Sequence, residues 1–174
     1  LNWLDGSDGL CGGVSLIALL TIFFLALKPE VNQPAFAIIA ASGAGAVSGF
    51  LLFNLPPARI FAGTTGSMFL GFLLAFLATA AGTKIATALL VLVLPIADAF
   101  YVILERLWSG KSVFRGDQRH LHHKLKRLGW SNGRITFALL SFTGIVALLA
   151  LETRAESKFF ALAGVFLVAF LLSV

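Results

Sequence analysis

The sequence predicts an all-α polytopic membrane bundle of about six spans, with one polar amphipathic helix beside it. Three observations carry this. The 174 residues are 59% hydrophobic and only 12% charged, with a mean hydropathy of +0.96, more apolar surface than a soluble domain of this size hides. Apolar stretches recur at close to the length that crosses a hydrocarbon core, roughly 20 residues for about 30 Å. The polar residues collect in a few short segments between those stretches. Backbone groups in lipid must pair within their own segment, so the spans are helices.

The six expected spans are Leu10–Leu27, Ala35–Phe53, Met68–Gly82, Ile85–Leu107, Ile135–Leu151 and Phe159–Val174. The second is crowded with Gly and Ala (IIAASGAGAVSG), which suits close helix–helix approach. In the fourth, Pro95 removes a backbone donor and predicts a kink. Asp98 follows it, and a carboxylate within a span usually faces a cavity or a partner. The alternative places Asp98 near a shortened helix end, bonding neighbouring backbone. The single Cys11 excludes an internal disulfide. No signal peptide is visible, and position 1 is Leu rather than Met, so the chain is expected to be a fragment. Residues 1–174 read as a single membrane domain.

Charge sets the expected orientation. Arg106, Lys111, Arg115, Arg119, Lys124, Lys126, Arg127 and Arg134 are eight of the thirteen Lys and Arg residues. The positive-inside rule puts that stretch in the cytoplasm. Counting helices back from it puts Leu1–Gly9 and Asn54–Ser67 on the same side, with the turns at Pro29–Gln33 and near Lys84 outside. Three polar segments then share one face. The external turns carry little chemistry.

Each segment holds candidate site residues. In NWLDGSDGL, Asp5 and Asp8 are three apart with a Gly after each. Such carboxylates can converge on a hard cation such as Mg²⁺; the alternative is a capped turn with Asp8 as N-cap of the first span. In PARIFAGTTGS, Arg59 precedes a turn from Gly63 to Ser67 that enters the third span. Backbone N–H groups at a helix start can hold an anion, and Arg59 can add a bidentate phosphate contact. The alternative is a Ser or Thr cap with a snorkelling Arg.

The third segment, Phe114–Gly129 (FRGDQRHLHHKLKRLG), holds all three histidines and five basic residues in sixteen positions. It reads as a short helix with Asp117 as N-cap and Gly129 as stop. Leu121, Leu125 and Leu128 form an apolar stripe among Lys124, Lys126 and Arg127, as in a helix lying on a membrane interface. His120 and His123 fall on one face, with His122 pointing away. The surrounding cations are expected to keep the imidazoles neutral. Zinc is the weaker reading, because no Cys lies nearby. Anchoring to anionic lipid headgroups competes with a binding site.

Together the segments resemble a family. NWLDGSDGL is similar to the N-x-x-D-G-x-D-G-L signature of the polytopic polyprenyl-phosphate N-acetylhexosamine-1-phosphate transferases, glycosyltransferase family 4. NLPPARIFAGTTGSMFLGF is similar to that family's P-A-[KR]-[IV]-F-M-G-D-x-G-S-x-x-L-G element. LPIADAFYVILERLWSGKSVFRGDQRHLHHKLKRLG resembles its P-I-x-D … H-x-H-H stretch, in the form of the undecaprenyl-phosphate GlcNAc-1-phosphate branch. The likeness runs from Asn2 to about Gly129 and corresponds to the C-terminal part of the family.

The resemblance implies transfer of a sugar 1-phosphate, GlcNAc-1-phosphate, from a UDP-sugar to a membrane polyprenyl (undecaprenyl) phosphate, with release of UMP and a need for Mg²⁺. It implies Asp5 and Asp8 in the metal and nucleotide region and Asn2 on the nucleotide. Arg59, Arg119, His120, His122 and His123 would gather around phosphates or the nucleotide sugar. Asp98 matches a family acid counted here among the catalytic residues without an assigned role. It also implies a bacterial plasma-membrane enzyme of cell-envelope glycan synthesis, with the motif segments cytoplasmic and membrane lipid around it. No nucleic-acid partner is expected, and homodimerisation is left open.

Two departures bear on activity. The family's acidic D-D motif on earlier helices has no counterpart here, and its metal-ligating Asp in G-D-x-G-S is Thr64. Three readings therefore compete: the transferase, a truncated or degenerate relative that binds polyprenyl phosphate or nucleotide sugar without turnover, and a small transporter. An inverted repeat would favour the transporter, and none is visible.

Overall fold

The computed structural model describes residues 1–80, 85–110, 120–152 and 163–171. A one-turn 3₁₀ helix, Asn2–Leu4, precedes α1 (Leu10–Ala26), α2 (Pro34–Asn54), α3 (Gly63–Ala80), α4 (Ile85–Val91), α5 (Val93–Trp108), α6 (Leu121–Arg127) and α7 (Asn132–Glu152). Residues 163–171 are also helical, and no strand occurs among the described residues.

The centre of the bundle is α1, which packs against α2, α3, α4 and α7. It is apolar on every side and buried on nearly every side, as an all-round hydrophobic helix should be. Its small residues admit the neighbours. A Cβ on Gly12 would lie 2.9 Å from Leu51 of α2, and one on Gly13 would lie 2.5 Å from Leu140 of α7. Its hydroxyls bond within the helix, Ser15 Oγ to the Cys11 carbonyl at 2.8 Å and Thr21 Oγ1 to that of Ile17 at 2.7 Å, so neither hydroxyl is stranded in the core.

The seam of α2 on α1 is built from Ala37, Ala40, Ala44, Val47 and Leu51. Of its glycines, Gly43 approaches Leu73 and Leu19, whereas Gly45 and Gly49 face open space. The outer faces of α2 and α3 expose Ile38, Leu52, Met68, Phe69 and Phe72, as lipid-facing helices do.

The all-helical membrane class holds, but the count of six spans is not established. By length and apolarity α2, α3 and α7 qualify, and α4 with α5 makes a fourth if that bent pair is one span. At 17 residues α1 falls short of the others and is enclosed by them. The sixth expected span lies partly outside the described residues.

Two boundaries depart from the sequence reading for physical reasons. The span expected at Ile85–Leu107 is two helices bent by 72° at Leu92. The ring of Pro95 clashes with the carbonyl four residues back, that of Val91, and the helix breaks there. Helix α3 starts at Gly63, so Gly63–Ser67 forms its first turn and not a loop before it. A carboxylate from another part of the chain makes that early start affordable.

Candidate polar site at one end of the bundle

That carboxylate belongs to Asp5. Its Oδ1 accepts from the Ala62 N–H at 3.1 Å and its Oδ2 from the Gly63 N–H at 2.6 Å. The anion expected at the start of α3 is thus a side chain of the chain itself, which offsets the unpaired N–H groups of the first turn. Gly63 has a φ of +67°, which lets the backbone turn into the helix beside Asp5.

Asp8 makes a second tie. Its Oδ2 accepts from the Ala58 N–H at 3.3 Å and from Asn132 Nδ2 at 3.2 Å, and its carbonyl accepts from Thr136 Oγ1 at 2.6 Å. It does not cap α1. Gly9 does so, with a φ of +72°, and no side chain bonds there. Asn2 makes a third tie: Ser67 Oγ lies 2.8 Å from Asn2 Oδ1. Asn54, almost fully buried, pins the same loop by donating Nδ2–H to the Ile60 carbonyl at 2.8 Å.

The histidine segment closes the far side. Helix α6 starts at Leu121 with His120 as N-cap. Asp117, expected as the cap, and Arg119 lie outside the described residues. Buried Asp98 on α5 accepts from the Leu121 N–H through Oδ1 and contacts His120 Nδ1 through Oδ2, both at 2.8 Å. Of the two expectations for Asp98, it faces a partner across the fold and not the backbone of its own helix.

The expected pairing of His120 with His123 is corrected. The rings of His120 and His122 stack in parallel, 5.9 Å apart and 3° from coplanar orientation, and both residues are buried; His123 is half-buried, 4.2 Å from His122. His120 takes a non-helical ψ of 150° before the helix starts, so the regular helical wheel assumed from the sequence does not apply to it. The expected membrane-facing stripe is corrected too: Leu121 and Leu125 pack on the protein core, and only Leu128 faces outward. Lys124 lies 4.0 Å from the Tyr101 ring centre, a cation–π contact.

Two histidines are kept neutral. Burial is the largest cause, followed by neighbouring imidazoles and Lys126, and it pushes His122 down to about 4; His123 is lowered by burial and then by His120, Lys126 and Arg127. The sequence reading credited the cations alone. His122 Nε2 is buried without a hydrogen-bond partner. It lies 3.9 Å from where a Cβ on Gly6 would sit, so it faces the backbone between Asp5 and Asp8.

Thus Asn2, Asp5, Asp8, Asp98, His120 and His122 come together at one end of the bundle. Arg59 and Thr64 are exposed on the loop and first turn beside them. Sequence reasoning passed over Trp3, whose ring stacks on His120 at 5.4 Å. It also passed over Asn132 and Thr136, and it read Ser67 only as part of an anion-holding turn or a cap. A lone Asn or Thr at a helix start gives no signal until Asp8 is seen beside it. Trp3, inside a polar motif, was the one that could have been found.

By themselves these residues do not make a complete Mg²⁺ site. Both oxygens of Asp5 are taken by N–H groups, Thr64 is neutral, and no three His, Cys, Asp or Glu side chains converge on one point among the described residues.

Comparison with known proteins places the chain. Residues 1–82 match the family model described as glycosyl transferase family 4. A decaprenyl-phosphate N-acetylglucosaminephosphotransferase of Mycobacterium leprae is 34% identical over 176 aligned residues, covering 88% of this chain and 44% of that protein. The enzyme of the same description from Mycobacterium tuberculosis is 34% identical, covering 84% and 42%. A phospho-N-acetylmuramoyl-pentapeptide-transferase of Moorella thermoacetica is 35% identical, covering 87% and 47%. The chain spans less than half the length of these relatives.

Proposed function

Because the chain belongs to glycosyl transferase family 4, we propose that it forms part of the site of a transferase that moves a sugar 1-phosphate from a UDP-sugar to a polyprenyl phosphate. In this reading an oxygen of the lipid phosphate attacks the sugar-bearing phosphorus. The bond from that phosphorus to the bridging oxygen breaks, and UMP leaves. GlcNAc-1-phosphate is the proposed group and undecaprenyl phosphate the proposed acceptor. Relatives named for decaprenyl phosphate and for a muramoyl pentapeptide mark how far both choices can vary. Residues 1–174 act as one membrane domain of a larger transferase, at the bacterial plasma membrane with the motif end in the cytoplasm.

The observation that carries this is the convergence of three segments far apart in sequence. Asp5 reaches Ala62 and Gly63, Asp8 reaches Asn132, and Trp3 reaches His120. A polar end on an apolar bundle lets a water-soluble diphosphate meet a lipid phosphate. The exposed Arg59 supplies charge, and so would Arg119; neutral His122 and His123 can each donate one hydrogen bond to a phosphate oxygen. Asn2 would hold the nucleotide. Polar residues at one end, and not at mid-span, also favour this reading over a transporter.

Mg²⁺ belongs to the proposal as a cofactor that Asp5 and Asp8 would help hold together with acids from elsewhere in the transferase. The neutral Thr64 favours a second reading for the chain by itself, binding without turnover. UMP release tests both. The 174-residue chain should release negligible UMP, since a lost metal ligand costs roughly a thousandfold or more. The chain joined to the N-terminal half of the Mycobacterium leprae relative, carrying T64D, should release UMP only when polyprenyl phosphate is present. Robust Mg²⁺-dependent release by the chain alone would contradict the account of Thr64. Silence of the properly inserted, joined T64D protein would contradict the transferase reading.

A further inference from the structure

Asp98 is the one carboxylate of the site that reaches it from within the bundle. It sits on α5 beyond the 72° break at Leu92, only 3% exposed. A carboxylate so placed is costly unless its oxygens are taken up. Each is: Oδ1 by the Leu121 N–H and Oδ2 by His120 Nδ1, both at 2.8 Å.

The Leu121 N–H is one of the donors that a helix start leaves unpaired. An N-cap residue usually serves such a donor with its own side chain, but His120 makes no such bond. Asp98 serves it from 23 residues away. The same carboxylate lies within hydrogen-bond distance of the neighbouring ring. An ionised carboxylate oxygen only accepts, so a hydrogen bond to it calls for the hydrogen on Nδ1, which in a neutral ring leaves the lone pair on Nε2. The same ring stacks with Trp3 at 5.4 Å and with His122 at 5.9 Å.

We propose that Asp98 is the positioning residue of the histidine segment: its one carboxylate closes the start of α6 and fixes His120 with the ring proton on Nδ1. This rests on the reading of that segment as part of the transferase site and deepens it. Asp98 acts through His120 and Leu121 and does not touch substrate. Its loss should disorder the orientation of the Trp3–His120–His122 stack while leaving the spans in place.

The chain holds only three histidines, so ¹⁵N-histidine NMR of the 174-residue chain in nanodiscs can be assigned by single substitutions. The His120 signals of the unsubstituted chain should show Nδ1 protonated. In D98N the carboxamide oxygen stays on the Leu121 N–H, which leaves its NH₂ against Nδ1, and the ring proton should move to Nε2. In D98A the Leu121 amide should exchange with solvent roughly tenfold faster or more. D98E should restore the protonated Nδ1 in part. A His120 protonated only on Nε2 in the unsubstituted chain would overturn the proposal, even if no variant folds. So would a D98N chain with unchanged His120 signals and unchanged exchange at Leu121. Neither readout needs turnover, so this failure is separable from failure of the UMP assay.

Discussion

At the scale of single residues, Asp98, His120 and His122 are buried polar groups of the site, with Asp5 and Asp8 partly buried beside them. His122 gives the clearest consequence. Its value in the fold, about 4, lies below the ordinary 6.5 because burial disfavours the imidazolium. The unfolded chain therefore binds the proton first. The contribution of neutral His122 to stability is fully present above pH 6.5, declines as pH falls, and is gone near pH 4. The size is on the order of 3 kcal/mol. H122Q should flatten that acid limb of a thermal-melting profile in detergent; an unchanged limb would refute the assignment. Gly9 gives a second prediction. Its φ of +72° is one that L side chains rarely adopt, and a Cβ there would press on Leu55 at 3.1 Å and Thr136 at 3.2 Å. G9A should lower stability by roughly 1–2 kcal/mol from the backbone alone, read as a drop in melting temperature. The candidate residues were legible because Asp, Asn and His are rare in such a chain. Their partners were not, since backbone N–H groups and an ordinary Thr or Asn carry no mark in sequence.

At the scale of elements, apolar length located α1, α2 and α7 to within a few residues, because those helices end where polar residues begin. The failures have causes that act across the fold. No local residue predicts that α3 starts at Gly63, since its stabilising anion comes from Asp5. Pro95 does announce a kink, and the kink is a 72° break three residues before it. The histidine helix was expected on the membrane surface, but Leu121 and Leu125 turn to the core, and periodicity alone does not say what an apolar face meets. The contact of α1 with α7 yields a test. A Cβ on Gly13 would meet Leu140 at 2.5 Å, and G13L adds three further carbons to that overlap. Overpacking of this kind costs typically 1–3 kcal/mol or more. G13L should melt earlier and lose the Asp8–Asn132 tie, read as faster hydrogen exchange at the start of α7. Normal melting and exchange would show that α7 does not rest on α1 as described.

At the scale of the whole molecule, one apolar helix enclosed by four others carries a polar end assembled from three segments. That the three would share a face followed from counting helices and charges. Enclosure of α1 did not, because a buried helix and a lipid-facing one have the same composition. The sidedness of that end is open to direct labelling. With Cys11 replaced and a single Cys at exposed Leu128, a membrane-impermeant maleimide should label only after cells are opened; labelling of intact cells would reverse the proposed orientation. The central claim, common to an active and a silent chain, is that this polar end binds the sugar diphosphate. Titration of the chain in nanodiscs with UDP-GlcNAc, followed by calorimetry, tests it most directly. The account predicts saturable binding that weakens tenfold or more in H122A, roughly the worth of a hydrogen bond to a charged phosphate, with the helical content intact. Absence of saturable binding, or equal affinity in H122A, would contradict it.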